Sequence, residues 1–139
     1  MKSKVIIASV LAGIASYLTG FVTYVLLFGE FFKNNMNYGE LAKNPPEQWA
    51  IFVSNIVLGF LFITIFDRWA SISTFKSGMI AGAWMGLLLG IAINVMNFGL
   101  NSAETMQAHV VGAILWGIIA AIGGGVGGWV LGYGNKSSE

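Results

Sequence analysis

The side chains of this sequence that could do chemistry are few and scattered. There is one histidine, His109, and no cysteine, which removes disulfides, thiolate metal sites and thiol catalysis. A lone histidine is a poor metal site, because zinc takes three or four protein ligands. No metal and no other cofactor is expected. Ser54 or Ser102 with His109 and Glu104 would supply a nucleophile, a base and an orienting group on paper, but nothing in their spacing joins them. An enzyme is therefore not expected.

The remaining polar groups inside apolar stretches are Thr19, Thr23, Tyr24, Ser54, Asn55, Asn94 and Asn97. Tyr24, Asn55, Asn94 and His109 each lie near the same end of their stretch, within about 10 Å at 1.5 Å per helical residue. Asn97 is one turn beyond Asn94. This placement predicts a polar pocket opening outward, with Tyr24, Asn55, Asn94 and Asn97 as hydrogen-bonding walls and His109 as a pH-responsive member. The competing expectation is that these groups satisfy one another across helix contacts, at about 0.6–2 kcal/mol each. Proton-coupled transport normally uses a carboxylate inside a span, and no span here contains one.

The elements that must hold these residues are apolar helices. Hydrophobic residues make up 56% of the 139 residues and charged residues 9%, against about 25% charged in soluble domains. Four stretches free of Asp, Glu, Lys and Arg run over about 5–28, 49–66, 77–98 and 108–132. Each is about long enough to cross a hydrocarbon core, which takes about 20 residues. The expected architecture is all-α: a single transmembrane domain forming a four-helix bundle. "MKSKVIIASVLAGIAS" imitates a signal peptide, but its apolar run continues to Phe28, too long for an h-region. It is read as a retained first span.

Lys2, Lys4, Arg68, Lys76 and Lys136 fall on one side, and Lys33 and Lys43 on the other beside Glu30, Glu40 and Glu47. This bias predicts cytoplasmic N and C termini. The net charge of +1 suggests no nucleic-acid partner. Loop 29–48 is the one long connection. Its Asn44-Pro45-Pro46-Glu47 reads as a helix start with Asn44 as cap. Phe31, Phe32, Met36, Tyr38 and Leu41 would lie as an amphipathic segment on the membrane surface.

"GGGVGG" at 123–128 spells G-x-G-x-x-G. A dinucleotide loop needs a strand before it and a helix opening at it, whereas here one helical pattern runs from Ala108 straight through the glycines. Their meaning is geometric. At about 100° per residue, Gly123, Gly124, Gly125, Gly127 and Gly128 cover more than half of the helix circumference. Gly78, Gly82, Gly86 and Gly90 make a second stripe. Ala8, Ala12, Ser16 and Gly20 make a third, and Ala113, Gly117, Ala121 and Gly125 a fourth. Such stripes let backbones approach where hydrophobic drive is weak. Glycine on two sides of the fourth helix predicts one neighbour from the same chain and one from a second subunit, a two-fold dimer being simplest. A shift of 70 residues superposes the first stripe on the second, and Tyr24 on Asn94.

"GFVTYVLLFGEFFKNNM" resembles the W-Y-x-x-L-F-G-x-x-W segment of a widespread family of small four-helix bacterial membrane proteins, a domain of unknown function. The Gly-rich third stretch and "QAHVVGAILWGIIAAIGGGVGGW" are similar in character. The resemblance implies the four-helix topology and a place in the bacterial cytoplasmic membrane, with no activity attached. Two functions are expected. One is binding or permeation of a small solute or ion at the polar cluster. The other is an accessory or scaffolding role, docking on a membrane partner through glycine-rich faces.

Overall fold

The computed structural model describes residues 2–134, and those residues are helical apart from short connections. Helix α1 spans Ser3–Phe21 and continues as a widened turn over Val22–Leu27. A short helix α2 follows at Gly29–Asn35. Helix α3 spans Gln48–Ile65 and continues as a second widened turn over Phe66–Ala70. Helices α4 (Phe75–Leu100) and α5 (Met106–Gly132) complete the chain. Four of these segments are long and apolar enough to span a membrane: Ser3–Leu27, Gln48–Ala70, Phe75–Leu100 and Met106–Gly132.

Local chemistry sets the boundaries. Thr74 caps α4 by accepting from the Ser77 amide at 3.1 Å. Thr105 caps α5 by accepting from the Ala108 amide at 3.2 Å, as an N-cap hydroxyl should. The widened end of α1 coincides with back-bonding hydroxyls. Thr19 donates to the Ala15 carbonyl and Thr23 to the Thr19 carbonyl, a pattern that loosens the regular helical ladder. Asn44 is not the cap of α3. The helix starts four residues later, with Glu47 at the cap position and no side-chain cap bond. Each proline disfavours helical geometry in the residue before it, which keeps Asn44 and Pro45 out of the helix; the helix itself starts at Gln48.

Helix α5 is the centre of the bundle. Half of its apolar core segment is buried, against 28%, 22% and 22% in the other three long helices. Helix α4 lies along one side of it and α1 along another, and α3 packs mainly on α1. The α4 stripe lies on the α5 backbone. A methyl group on Gly78 would collide with the Gly124 carbonyl oxygen, and one on Gly82 with that of Ala120. On Gly86 it would stand 2.6 Å from the Trp116 carbonyl oxygen, and on Gly90 2.8 Å from that of Ala113. Gly128 meets Thr74 and Gly78, Gly117 meets Ala83 and Leu87, and Gly125 meets the Phe75 ring.

The opposite side of α5 is filled as well. Gly123 meets Ala12 and Ser16 of α1, and Gly127 meets Ile63 of α3 and Ala12. These contacts border a core of Val5, Ala8, Ala12, Ile63, Phe66 and Leu131. The two faces of α5 that sequence reasoning divided between this chain and a second subunit are thus both occupied by this chain. The repeat suggested by the 70-residue shift has a spatial counterpart: α1 and α4 both run antiparallel to α5 and present small residues to it.

Helix α2 does not lie flat as a surface segment. It folds back on the bundle, where Phe32 is buried with Ala108 and Leu115. Tyr24, Phe28, Phe31 and Met36 pack around them. Ala108, Val111 and Leu115 on the first turns of α5 give these side chains an apolar face to cover. Leu41 remains exposed.

Candidate functional site

The polar residues singled out in the sequence separate into two places. The first is a closed cluster at the end of the bundle that carries α2. Asn94 donates from Nδ2 to the Gly90 carbonyl at 2.8 Å, which turns its Oδ1 toward His109. His109 Nδ1 lies 3.3 Å from that oxygen and 3.3 Å from Glu104 Oε2. Both neighbours are acceptors, so Nδ1 carries the hydrogen. In the neutral ring Nε2 is then a bare lone pair, buried and without a hydrogen-bond partner among the described residues. The His109 and Phe98 rings meet in a T-shaped arrangement, with centroids 5.7 Å apart.

Tyr24 joins from α1. Its hydroxyl donates to the Gly112 carbonyl at 3.5 Å, and its ring stacks on Phe32 at 4.8 Å. The cover is laced on from the loop side. Tyr38 donates to the second oxygen of Glu104. The Thr105 amide and hydroxyl donate to the backbone and side-chain oxygens of Asn35, both at 2.9 Å. The Asn37 amide donates to the Ala103 carbonyl at 2.7 Å. His109 is left 3% exposed. The expected pocket opening outward is therefore not what the cluster forms: α2 and the extended residues after it, 36–38, close over it.

Glu104 lies against His109, and among the described residues no serine is hydrogen-bonded to that ring. Ser54 sits on α3, bonded to the Ile51 carbonyl of its own helix. Asn55 is also outside the cluster, donating to the same carbonyl at 2.9 Å. Asn97 makes no side-chain hydrogen bond among the described residues. Equal distance from the helix ends misplaced Asn55 because α3 is staggered. Gly13 and Gly59 set the α1–α3 crossing, with Gly13 against Ile56 and Gly59 against Ser9. That crossing puts Gln48, the first residue of α3, beside Tyr17, whose hydroxyl donates to its Oε1 at 2.9 Å. Phe21, Val22, Val25, Leu26 and Leu27 extend past it and are all exposed.

The second place is a cleft between α1, α3 and α5, with a volume of about 630 Å³. Asn55 and Tyr24 both line it. Tyr17, Gln48 and Ser54 bring further polar groups, and Trp116 and Ile119 form the α5 wall. Its far end is apolar, at Ala12, Leu58, Gly59 and Phe62. No Asp, Glu, Lys or Arg is among its lining residues. Glu47 stands next to the mouth, but its carboxylate is taken by Lys43 and by the Trp49 indole, which donates at 2.6 Å. The Lys43 hydrogen bond, followed by that of Trp49, holds the Glu47 carboxyl below its ordinary pKa.

The cleft exists because small residues on α1 and α5, Ser16, Gly20 and Gly123, face an α3 that leans on α1 and barely reaches α5. The small-residue stripe on α1 was visible in the sequence. That its upper half would border a void rather than a helix was not. Among the described residues no group of three or more His, Asp or Glu is placed to hold a metal ion. No protein-family model matches the chain, and no curated protein or solved structure matches it.

Proposed function

We propose that the chain is a multi-pass membrane protein of the bacterial cytoplasmic membrane that binds a small molecule in the α1–α3–α5 cleft without catalysis. The cleft carries this reading. Its volume of about 630 Å³ falls within the roughly 300–1,000 Å³ of small-molecule sites. It also combines a mostly apolar wall with a few placed polar groups, as such sites do. The basic residues near the termini support an orientation with both termini in the cytoplasm. The cluster at His109 supports the site indirectly, by fixing Tyr24 at its rim.

The accessory reading relied on free glycine faces. Those faces are largely spent inside the chain, so a dimer or a foreign membrane partner would use one of the exposed apolar faces instead, such as that of α4 around Ile80, Trp84 and Leu88. The test is native mass spectrometry of the protein released from membranes, looking for a bound small molecule. Asn55→Leu is expected to lower the amount retained severalfold and Asn94→Leu to leave it unchanged. Loss of the molecule with Asn94→Leu alone would move the site back to the cluster.

A further inference from the structure

We infer that the occupant of the cleft is an amphiphile with one apolar chain and an uncharged, hydrogen-bonding head. This rests on the reading of the cleft as a ligand site. Two features argue for it: the order of polar and apolar groups along the cleft, and the hydrogen-bonding capacity its walls have left over.

The polar groups are gathered toward one end. Gln48 and Tyr17 stand at the mouth, and Ser54 and Asn55 lie about two turns further along α3. Beyond them the walls are Ala12, Leu58, Gly59, Phe62 and Ala120. From Gln48 to Phe62 the cleft follows about 20 Å of helix at 1.5 Å per residue. A compact polar solute would fill the mouth and leave the apolar end empty. An alkyl chain running down the cleft fills it.

The free capacity describes the head. Gln48 Oε1 accepts from Tyr17, which leaves the two N–H groups of its amide as donors. Asn55 spends one N–H on the Ile51 carbonyl and keeps the other, together with its Oδ1. Ser54 donates to the same carbonyl and keeps an acceptor lone pair. The site therefore offers both donors and acceptors but no charge. A charged head would be desolvated without a counter-ion, which is costly. Glu47, the adjacent carboxylate, is already held by Lys43 and Trp49. A hydroxyl, ester or amide head matches this set.

The experiment uses the full chain in lipid nanodiscs and four photoreactive probes. Three share one chain carrying the reactive group and differ in head: a monoacylglycerol, a fatty acid and an alkyl trimethylammonium. The fourth is a two-chain phosphatidylcholine with the group on one chain. The monoacylglycerol is expected to label the α3 segment around Phe62 and the α5 segment around Ala120 at least tenfold more than the two charged probes or the two-chain lipid. Ser54→Phe, which adds bulk at an exposed position on the cleft wall, should abolish that labelling. Gly20→Val is the second blocking variant, because a Cβ there has only the Ile119 tip nearby, at 3.7 Å. Each variant is checked for wild-type elution and helicity. Gln48→Leu with Asn55→Leu should narrow the discrimination between heads severalfold while keeping the labelled positions.

Equal labelling by neutral and charged single-chain probes, still blocked by Ser54→Phe or Gly20→Val, overturns the head-group inference and leaves the cleft as a site. Equal labelling by the two-chain lipid, again blocked, overturns the single-chain inference alone. Labelling that ignores both blocking variants overturns the cleft reading itself. So does a tight second helix at the cleft, found by cross-linking between copies of the chain.

Discussion

The two sides of α5 use the same residue type for different ends. Toward α4, glycine meets backbone. Gly78, Gly82, Gly86 and Gly90 lie against the carbonyls of Gly124, Ala120, Trp116 and Ala113, with the Cβ atoms of Ala120 and Trp116 also close to Gly86 and Gly90, and none of these atoms can move aside without the backbone. Toward α1 and α3, the nearest atoms to the α5 glycines belong to side chains, the Ser16 hydroxyl at Gly123 and the Ile63 tip at Gly127, with the Ala12 carbonyl behind, and beyond them lies the cleft. A glycine stripe therefore does not define one kind of contact. What stands opposite decides whether it is a seam or the wall of a cavity. The α4 side has the geometry of static packing, and the α1–α3 side has room for something else.

The comparison breaks most readily at the seam. Gly82→Leu forces a side chain into the Ala120 carbonyl, and overpacking of this kind costs about 3 kcal/mol or more when backbone must shift. Circular dichroism melting in detergent should show the midpoint falling by roughly 10 °C or more, or no folded protein at all. Gly99→Leu is the control on the same helix. Nothing lies within 4 Å of a Cβ there, so its melting should stay near wild type. Equal losses at both positions would mean that the stripe is not a seam.

A smaller effect separates the polar cluster from the cleft. Asn94→Leu removes one of the two acceptors facing His109 Nδ1, while Glu104 retains the other. A lost buried hydrogen bond of this kind costs about 1–2 kcal/mol. The melting midpoint should drop modestly, and cleft labelling should persist. Asn55→Leu should do the reverse, sparing stability and weakening labelling. If Asn94→Leu cost nothing, the hydrogen bonds closing the cluster would not hold it together.

How far the sequence anticipated these regions follows the same division. The four spans were legible because apolar length and missing charge mark each helix on its own. Residues 77–98 and 108–132 lie inside α4 and α5, which extend two residues beyond them at most ends. The α4 stripe was legible because four-residue spacing admits one ridge. Partners were not legible. Gly123 and Gly124 are adjacent in sequence yet face α1 and α4 respectively, and only the packing says whether a neighbour is another subunit. Depth along the helices put Tyr24, Asn94 and His109 at one end of the bundle; Asn94 and His109 meet there, and Tyr24 bonds the Gly112 carbonyl instead. Depth failed for Asn55 because the Gly13–Gly59 crossing staggers α3. Tyr38 and Glu104 were invisible as a pair, being 66 residues apart with no periodicity to link them.

On the cleft side a change of opposite sign is expected. Gly20→Ala adds a methyl group whose nearest neighbour is the Ile119 tip at 3.7 Å, an ordinary contact. Alanine is favoured over glycine inside a helix by about 1 kcal/mol. The variant should melt slightly higher than wild type, by a few degrees at most, and bind the neutral probe with little change. A destabilised Gly20→Ala would show that α5 lies closer to α1 than the cleft requires.

The smallest effect lies at the mouth, where Glu47 contributes electrostatics rather than packing. Its carboxyl is held below the ordinary glutamate value by Lys43 first and Trp49 second. A depressed folded-state pKa means the contribution is complete above the unfolded value, about 4.3, and is lost as pH falls through the folded one. Glu47 is fully exposed, so water and salt screen the interaction. Glu47→Gln should therefore melt just below wild type at pH 7. The gap should close on acidification below the glutamate range, and also in molar salt. A gap that widened with acid would mean that folding raises the Glu47 carboxyl rather than depressing it. A gap indifferent to salt would mean that Lys43 and Trp49 position the start of α3 by packing, and that the mouth belongs with the seam rather than with the cleft.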